Sequence, residues 1–142
     1  RESITGCDLY PTFCDWAGAP IPDGLAGISL AGHLSRKVQT LPTRALLFHY
    51  PHYGQGPRQK PQSALILGDY KVLYDWESQS SQLFNLQDDL GETNDLSKTM
   101  PDQVQALIHL LHARLKAIDA SLPTPNLNYD PSAKAPTGRP KR

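Results

Sequence analysis

The sequence predicts an α+β domain: a small antiparallel sheet of about four strands packed on one long C-terminal helix, preceded by a short N-terminal helix and followed by a proline-rich tail. Three observations carry that expectation. Apolar runs at 45–48, 64–67, 70–74 and 82–86 are separated by turn residues, as short strands are. The links Gly68-Asp69 and ESQS (77–80) are short enough to impose antiparallel neighbours, so 64–67, 70–76 and 82–86 form a meander. Finally, MPDQVQALIHLLHARLKAIDA (100–120) puts Val104, Leu107, Leu111, Leu115 and Ile118 on one helical stripe that can cover the sheet.

Taken in order, Asp8 is placed to cap a helix over LYPTFCDWAG, which tolerates Pro11 in its first turn and ends at Gly18. Leu9, Thr12, Phe13 and Trp16 share its apolar side, so Phe13 and Trp16 are expected to be buried against a partner surface while Asp15 faces solvent. Residues 19–42 read as an ordered connecting loop with at most one helical turn around 30–34. Pro101 opens the long helix. After Leu122 the chain holds too much proline for regular structure and too few apolar residues for a core.

A chain of 142 residues suffices for one core, burying roughly two thirds of its extended surface. Its 14 basic and 14 acidic residues cancel, so no long-range field draws it to nucleic acid or an anionic membrane. The basic cluster KAPTGRPKR (134–142) has no aromatic residue to stack on bases and reads as a solvated tail. No apolar run approaches the roughly 20 residues of a membrane-spanning helix. The chain opens with Arg-Glu-Ser-Ile and shows no signal-peptide pattern, as expected of a piece of a longer protein. Cys7 and Cys14 stand alone, without the paired C-x-x-C of a zinc site.

The densest chemistry lies in ALLFHYPHYGQGP (45–57), where His49, Tyr50, His52 and Tyr53 follow an apolar run. Metal ligands, a catalytic base and a recognition surface are the three readings. Elsewhere, His109 and His112 stand i, i+3 on the long helix without a third ligand nearby, and surface histidines explain them. The acidic DDLGETND (88–95) lacks the ligand pattern of an EF-hand and suits Asx turns.

Six segments in order carry a resemblance: DLYPTFCDWAG (8–18), GISLAGHL (27–34), LFHYPHYG (47–54) with SALILGDYKVLY (63–74), QLFNLQDDLGETNDL (82–96), MPDQVQALIHLLHARL (100–115) and PTPNLNYDP (123–131). Together the chain resembles the C-terminal end of type I sulfatases. The resemblance implies a parent protein of the alkaline phosphatase superfamily, with a large α/β catalytic domain followed by a small sheet-and-helix subdomain. Residues 1–43 would then end the catalytic domain, 44–122 form the C-terminal subdomain, and 123–142 the tail.

It also implies hydrolysis of a sulfate ester by a formylglycine made within C-x-P-S-R or S-x-P-S-R, assisted by Ca2+. Neither Cys7 nor Cys14 lies in such a motif, and the family's calcium-binding aspartates and sulfate-holding basic residues have no counterpart here. Catalytic residues, metal ligands and cofactors are therefore expected in the missing part, and this chain alone is expected to be inactive, since nucleophile, metal and charge clamp must act together. Expected partners are the catalytic domain and a sulfated small molecule or saccharide, not nucleic acid or membrane; the resemblance implies a periplasmic or secreted location.

Within that picture His49 and His52 point to the substrate side of the cleft, or else dock the subdomain. Tyr50 and Tyr53 either stack on a sugar or aryl ring or serve the same docking. Lys71 matches a lysine the family often carries there, and either reaches the cleft or pairs with a surface carboxylate. A free-standing interaction module, and a subdomain of a related phosphatase or phosphonate hydrolase, are the alternatives.

Overall fold

The computed structural model describes residues 2–53 and 60–124. These fall into two units: the first takes in residues up to 46 together with 66–68, the second the remaining described residues.

In the first unit a 3-10 turn, Gly6–Asp8, runs directly into α1, Leu9–Ala17. The helix stops at Gly18, whose φ of 65° lets Ala19 N–H reach back to the Cys14 carbonyl at 2.9 Å. Asp8 occupies the expected capping position, but its side chain turns away from α1. It accepts Thr5 N–H (2.8 Å), Ile28 N–H (3.0 Å) and the Arg44 guanidinium (2.5 Å), and it is fully buried. Thr12 extends this polar centre, donating to the Asp8 carbonyl at 2.6 Å and accepting Leu30 N–H at 2.9 Å. A one-turn helix, α2 (Ala31–Leu34), packs on α1, with Leu30 and Ala31 buried.

The burial expected of Phe13 and Trp16 does not occur within the unit: they are 57% and 59% exposed and touch each other at 6.1 Å between rings. The inward side of α1 belongs to Pro11 and Thr12, because residues 28 and 30 hydrogen-bond onto the Asp8 and Thr12 side chains. That rotation turns Leu9, Tyr10, Phe13 and Trp16 outward.

The sheet runs in the order β1 (Leu46–Tyr50), β2 (Gln62–Leu67), β3 (Tyr70–Asp75), β4 (Ser80–Asn85). Gly68, at φ 59°, supplies the left-handed residue of the β2–β3 turn. β3 and β4 pair antiparallel with Val72 opposite Leu83 and Tyr74 opposite Ser81. β1 extends to Tyr50, beyond its apolar run, because a strand at a sheet edge need not be apolar on both faces.

α3 (Pro101–Ala117) packs on β3 and β4. Leu107, Leu111 and Leu115 meet a sheet whose Leu65, Val72 and Leu83 have no exposed surface, each such side chain contributing about 1.5–3 kcal/mol. Of the expected stripe, Val104 is half-buried and Ile118 is 64% exposed, since the helix ends one residue before it. The outer edge of β4 is capped at Leu83: Asp95 Oδ1 accepts its N–H at 3.1 Å and Leu96 N–H donates to its carbonyl at 2.7 Å. The tail beyond Thr124 lies outside the described residues.

Candidate functional site

The exit of β1 gathers the aromatic residues singled out by sequence. Phe48 and Tyr50 alternate onto one exposed face, each 46% exposed, and His52 packs edge-on against Tyr50 at 5.7 Å. Tyr53 follows, 53% exposed, while 54–57 of the same stretch lie outside the described residues. Tyr50 and His52 thus form an open pair, with Tyr53 exposed just beyond it. Phe48 belongs with them, a member that its place in an apolar run concealed.

His49 faces the other way, and both its ring nitrogens are engaged. Nε2 lies 2.9 Å from the Ser121 carbonyl, which can only accept, so Nε2 carries the proton. In the Nε2-protonated tautomer, Nδ1 accepts the Ser63 hydroxyl proton at 2.7 Å. Ser63 Oγ in turn accepts the Trp76 indole N–H at 2.7 Å. The result is a closed relay from Trp76 through Ser63 and His49 to the main chain beyond α3. In this arrangement both ring nitrogens of His49 are taken up within the chain.

Trp76 heads an aromatic cluster that sequence reasoning did not single out. Tyr74 meets its ring at 4.9 Å and 89°, and His112 of α3 lies 5.6 Å from it at 38°. No motif signals this group, because its members are joined only by β3 and the last turns of α3.

The other candidates resolve into local structure. Lys71 grips both Glu92 carboxylate oxygens at 2.7 Å, the surface pairing. In the acidic loop, Asp89 accepts Asn94 N–H, Thr93 N–H and the Thr93 hydroxyl, which hold its carboxyl below the usual range. Asp95 is lowered too: burial opposes this, and the Ser97 and Leu83 amides outweigh it. Cys7 and Cys14 are free thiols. Among the described residues no three of His, Cys, Asp and Glu converge as a metal site, so these side chains do not fit the calcium that the sulfatase resemblance implies. No described helix is long and apolar enough to cross a membrane.

The described chain is thus a meander covered by one helix, with exposed aromatic residues at the exit of β1. The family described as N-sulphoglucosamine sulphohydrolase, C-terminal, matches residues 1–121, and the chain belongs to it. It is 36% identical over 112 residues to a sulfatase of Formosa agariphila, covering 72% of this chain and 20% of that protein. Among solved structures, a 2-O GAG sulfatase superposes with a TM-score of 0.66 at 26% identity over 79% of this chain and 24% of its own. A structure solved with its substrate D-glucosamine-2-N,6-O-disulfate shares the fold, with a TM-score of 0.62 at 22% identity over 79% of this chain and 24% of its own. The chain therefore spans between a fifth and a quarter of these relatives.

Proposed function

We propose that the chain is the C-terminal part of a sulfuric ester hydrolase acting on a sulfated saccharide, and that its β1 exit helps to shape the substrate pocket. The family match over residues 1–121 carries this reading, and the relatives described as a GAG sulfatase and as bound to a disulfated glucosamine support a carbohydrate substrate. The nucleophile, calcium and sulfate clamp belong to the missing catalytic domain, in a periplasmic or secreted enzyme of the alkaline phosphatase superfamily. The outward face of α1, with Leu9, Tyr10, Phe13 and Trp16 each more than half exposed, docks on that domain; so much aromatic surface in one place is an interaction surface.

At the β1 exit, His52 hydrogen-bonds a hydroxyl or sulfate oxygen, and Tyr50 and Tyr53 offer flat faces to the sugar ring. His49 keeps the strand in place from behind through Ser63 and Ser121. The test is His52→Ala and Tyr50→Ala in the full-length enzyme, assayed on a sulfated saccharide. The expected result is a KM increase of about tenfold, the size of one lost hydrogen bond to a charged group. Unchanged kcat and KM in both variants would sink the recognition role.

A further inference from the structure

A cleft of about 370 Å³ opens in the second unit where α3 ends, in the size range of small-ligand sites. Trp76, Leu115 and Leu122 give it an apolar floor, and His112, Lys116 and Asp119 bring polar groups to it. The indole N–H of Trp76 is spent on Ser63, and its ring is braced by Tyr74 and His49 at near-perpendicular angles and by His112 at 38°, so what the indole can present to the cleft is carbon surface. Such a ring is preorganised, and a ligand stacking on it meets little ordering cost.

The polar groups are available. His112 makes no hydrogen bond through its ring, and Lys116 has no carboxylate partner, among the described residues. An apolar platform flanked by a cation, a carboxylate and an imidazole matches a pyranose: C–H face on the indole, hydroxyls to Asp119 and His112, an anionic substituent to Lys116. The cleft also lies at the end of the sheet where β1 leaves, since the main-chain N–H of Trp76 donates to the Pro61 carbonyl just before β2 and the Trp76 indole connects to His49 through Ser63.

We propose that this cleft is a second carbohydrate subsite, which holds a sulfated pyranose of a polymeric substrate some distance along the chain from the sugar that is cleaved. This rests on the sulfated-saccharide reading above and adds to it a preference for longer substrates.

The test reads binding, not turnover, and uses residues other than those at the β1 exit. The 142-residue chain, with Trp16→Phe so that Trp76 is the sole indole, is titrated with a sulfated glycosaminoglycan hexasaccharide, its desulfated counterpart and inorganic sulfate, following fluorescence and heat. The sulfated hexasaccharide is expected to bind and to shift Trp76 emission. Trp76→Ala is expected to weaken it about tenfold, as loss of a stacking face should. Lys116→Ala, a change at an exposed position that leaves the fold intact, is expected to weaken the sulfated sugar about threefold or more and leave the desulfated one unchanged.

No binding by the parent chain at millimolar hexasaccharide overturns the proposal, as does equal binding to the Lys116→Ala chain. Hexasaccharide binding that emerges only in a chain ending at Thr124 also overturns it, because residues 125–142 would then be the occupant. If His52→Ala and Tyr50→Ala leave turnover unchanged while Lys116→Ala still weakens binding, the β1 reading fails and the subsite stands.

Discussion

Replacing Asp8 by asparagine should unfold the first unit far more easily than the loss of one charge suggests. The carboxylate serves three donors on two oxygens: Oδ2 takes Thr5 N–H and Arg44, and Oδ1 takes Ile28 N–H. An amide has one accepting oxygen. In either orientation its NH2 group confronts a backbone N–H, and the Arg44 guanidinium, only 18% exposed, loses its counter-charge. Arg44 is already under-served, since among the described residues its Nη1 finds no acceptor.

Removing one partner of such a buried pair costs about 3–5 kcal/mol, a large share of the stability of any small domain. At an m-value of ~2 kcal/mol/M, the urea midpoint of the unit should fall by about 2 M. Trp16 fluorescence in a Trp76→Phe background reports that unit, and adding Arg44→Met should restore part of the loss because no buried charge is then stranded. A pH series adds a second readout. Burial opposes ionisation of Asp8, but Arg44 and the Thr5 and Ile28 amides outweigh it and hold its carboxyl below the ordinary 3.8. Because the folded value is depressed, this stabilisation is complete above the unfolded-chain value and fades as pH falls from there through the folded value. The asparagine variant should lack that acid-side loss. A midpoint that moves by less than the equivalent of about 1 kcal/mol, or an unaltered acid limb, would refute the reasoning.

Two further pairs of substitutions separate backbone constraint from core packing. A Cβ on Gly27 would lie 2.0 Å from the Cys7 carbonyl oxygen and 2.9 Å from Asp8 N, all main chain, so Gly27→Ala should abolish the far-UV and Trp16 signals of the first unit; at Gly68 the space is open, and alanine there should cost only about 1–2 kcal/mol for its left-handed φ. Leu111→Ala, at a site with no exposed surface, should lower stability by about 2–5 kcal/mol in urea, whereas Ile118→Ala should change it by less than about 0.5 kcal/mol.

The sheet and its helix were legible because their signals are local. Gly68-Asp69 announces a hairpin, and Leu107, Leu111 and Leu115 recur at helical spacing. The orientation of α1 was not, since hydrophobicity alone points Phe13 and Trp16 inward. What turns them out is a set of bonds from Asp8 and Thr12 to residues 18 to 36 positions away, which no periodicity reveals. His49 shows the same limit at the candidate site. A histidine beside three aromatic neighbours reads as a ligand group, yet its partners stand 14 and 72 positions away. Trp76 passed unremarked because an isolated tryptophan after a strand carries no motif; strand pairing and the return of α3 bring it against His49, Tyr74 and His112.

The Asp8 centre also bears on the order in which the chain becomes stable during synthesis. Its last donor, Arg44, lies 36 residues downstream. At 5–20 residues per second, α1 therefore waits about 2 to 7 s after Asp8 is made before that buried carboxylate meets its counter-charge. Through that interval α1, with its aromatic side exposed, stands without the counter-charge that completes its own polar centre.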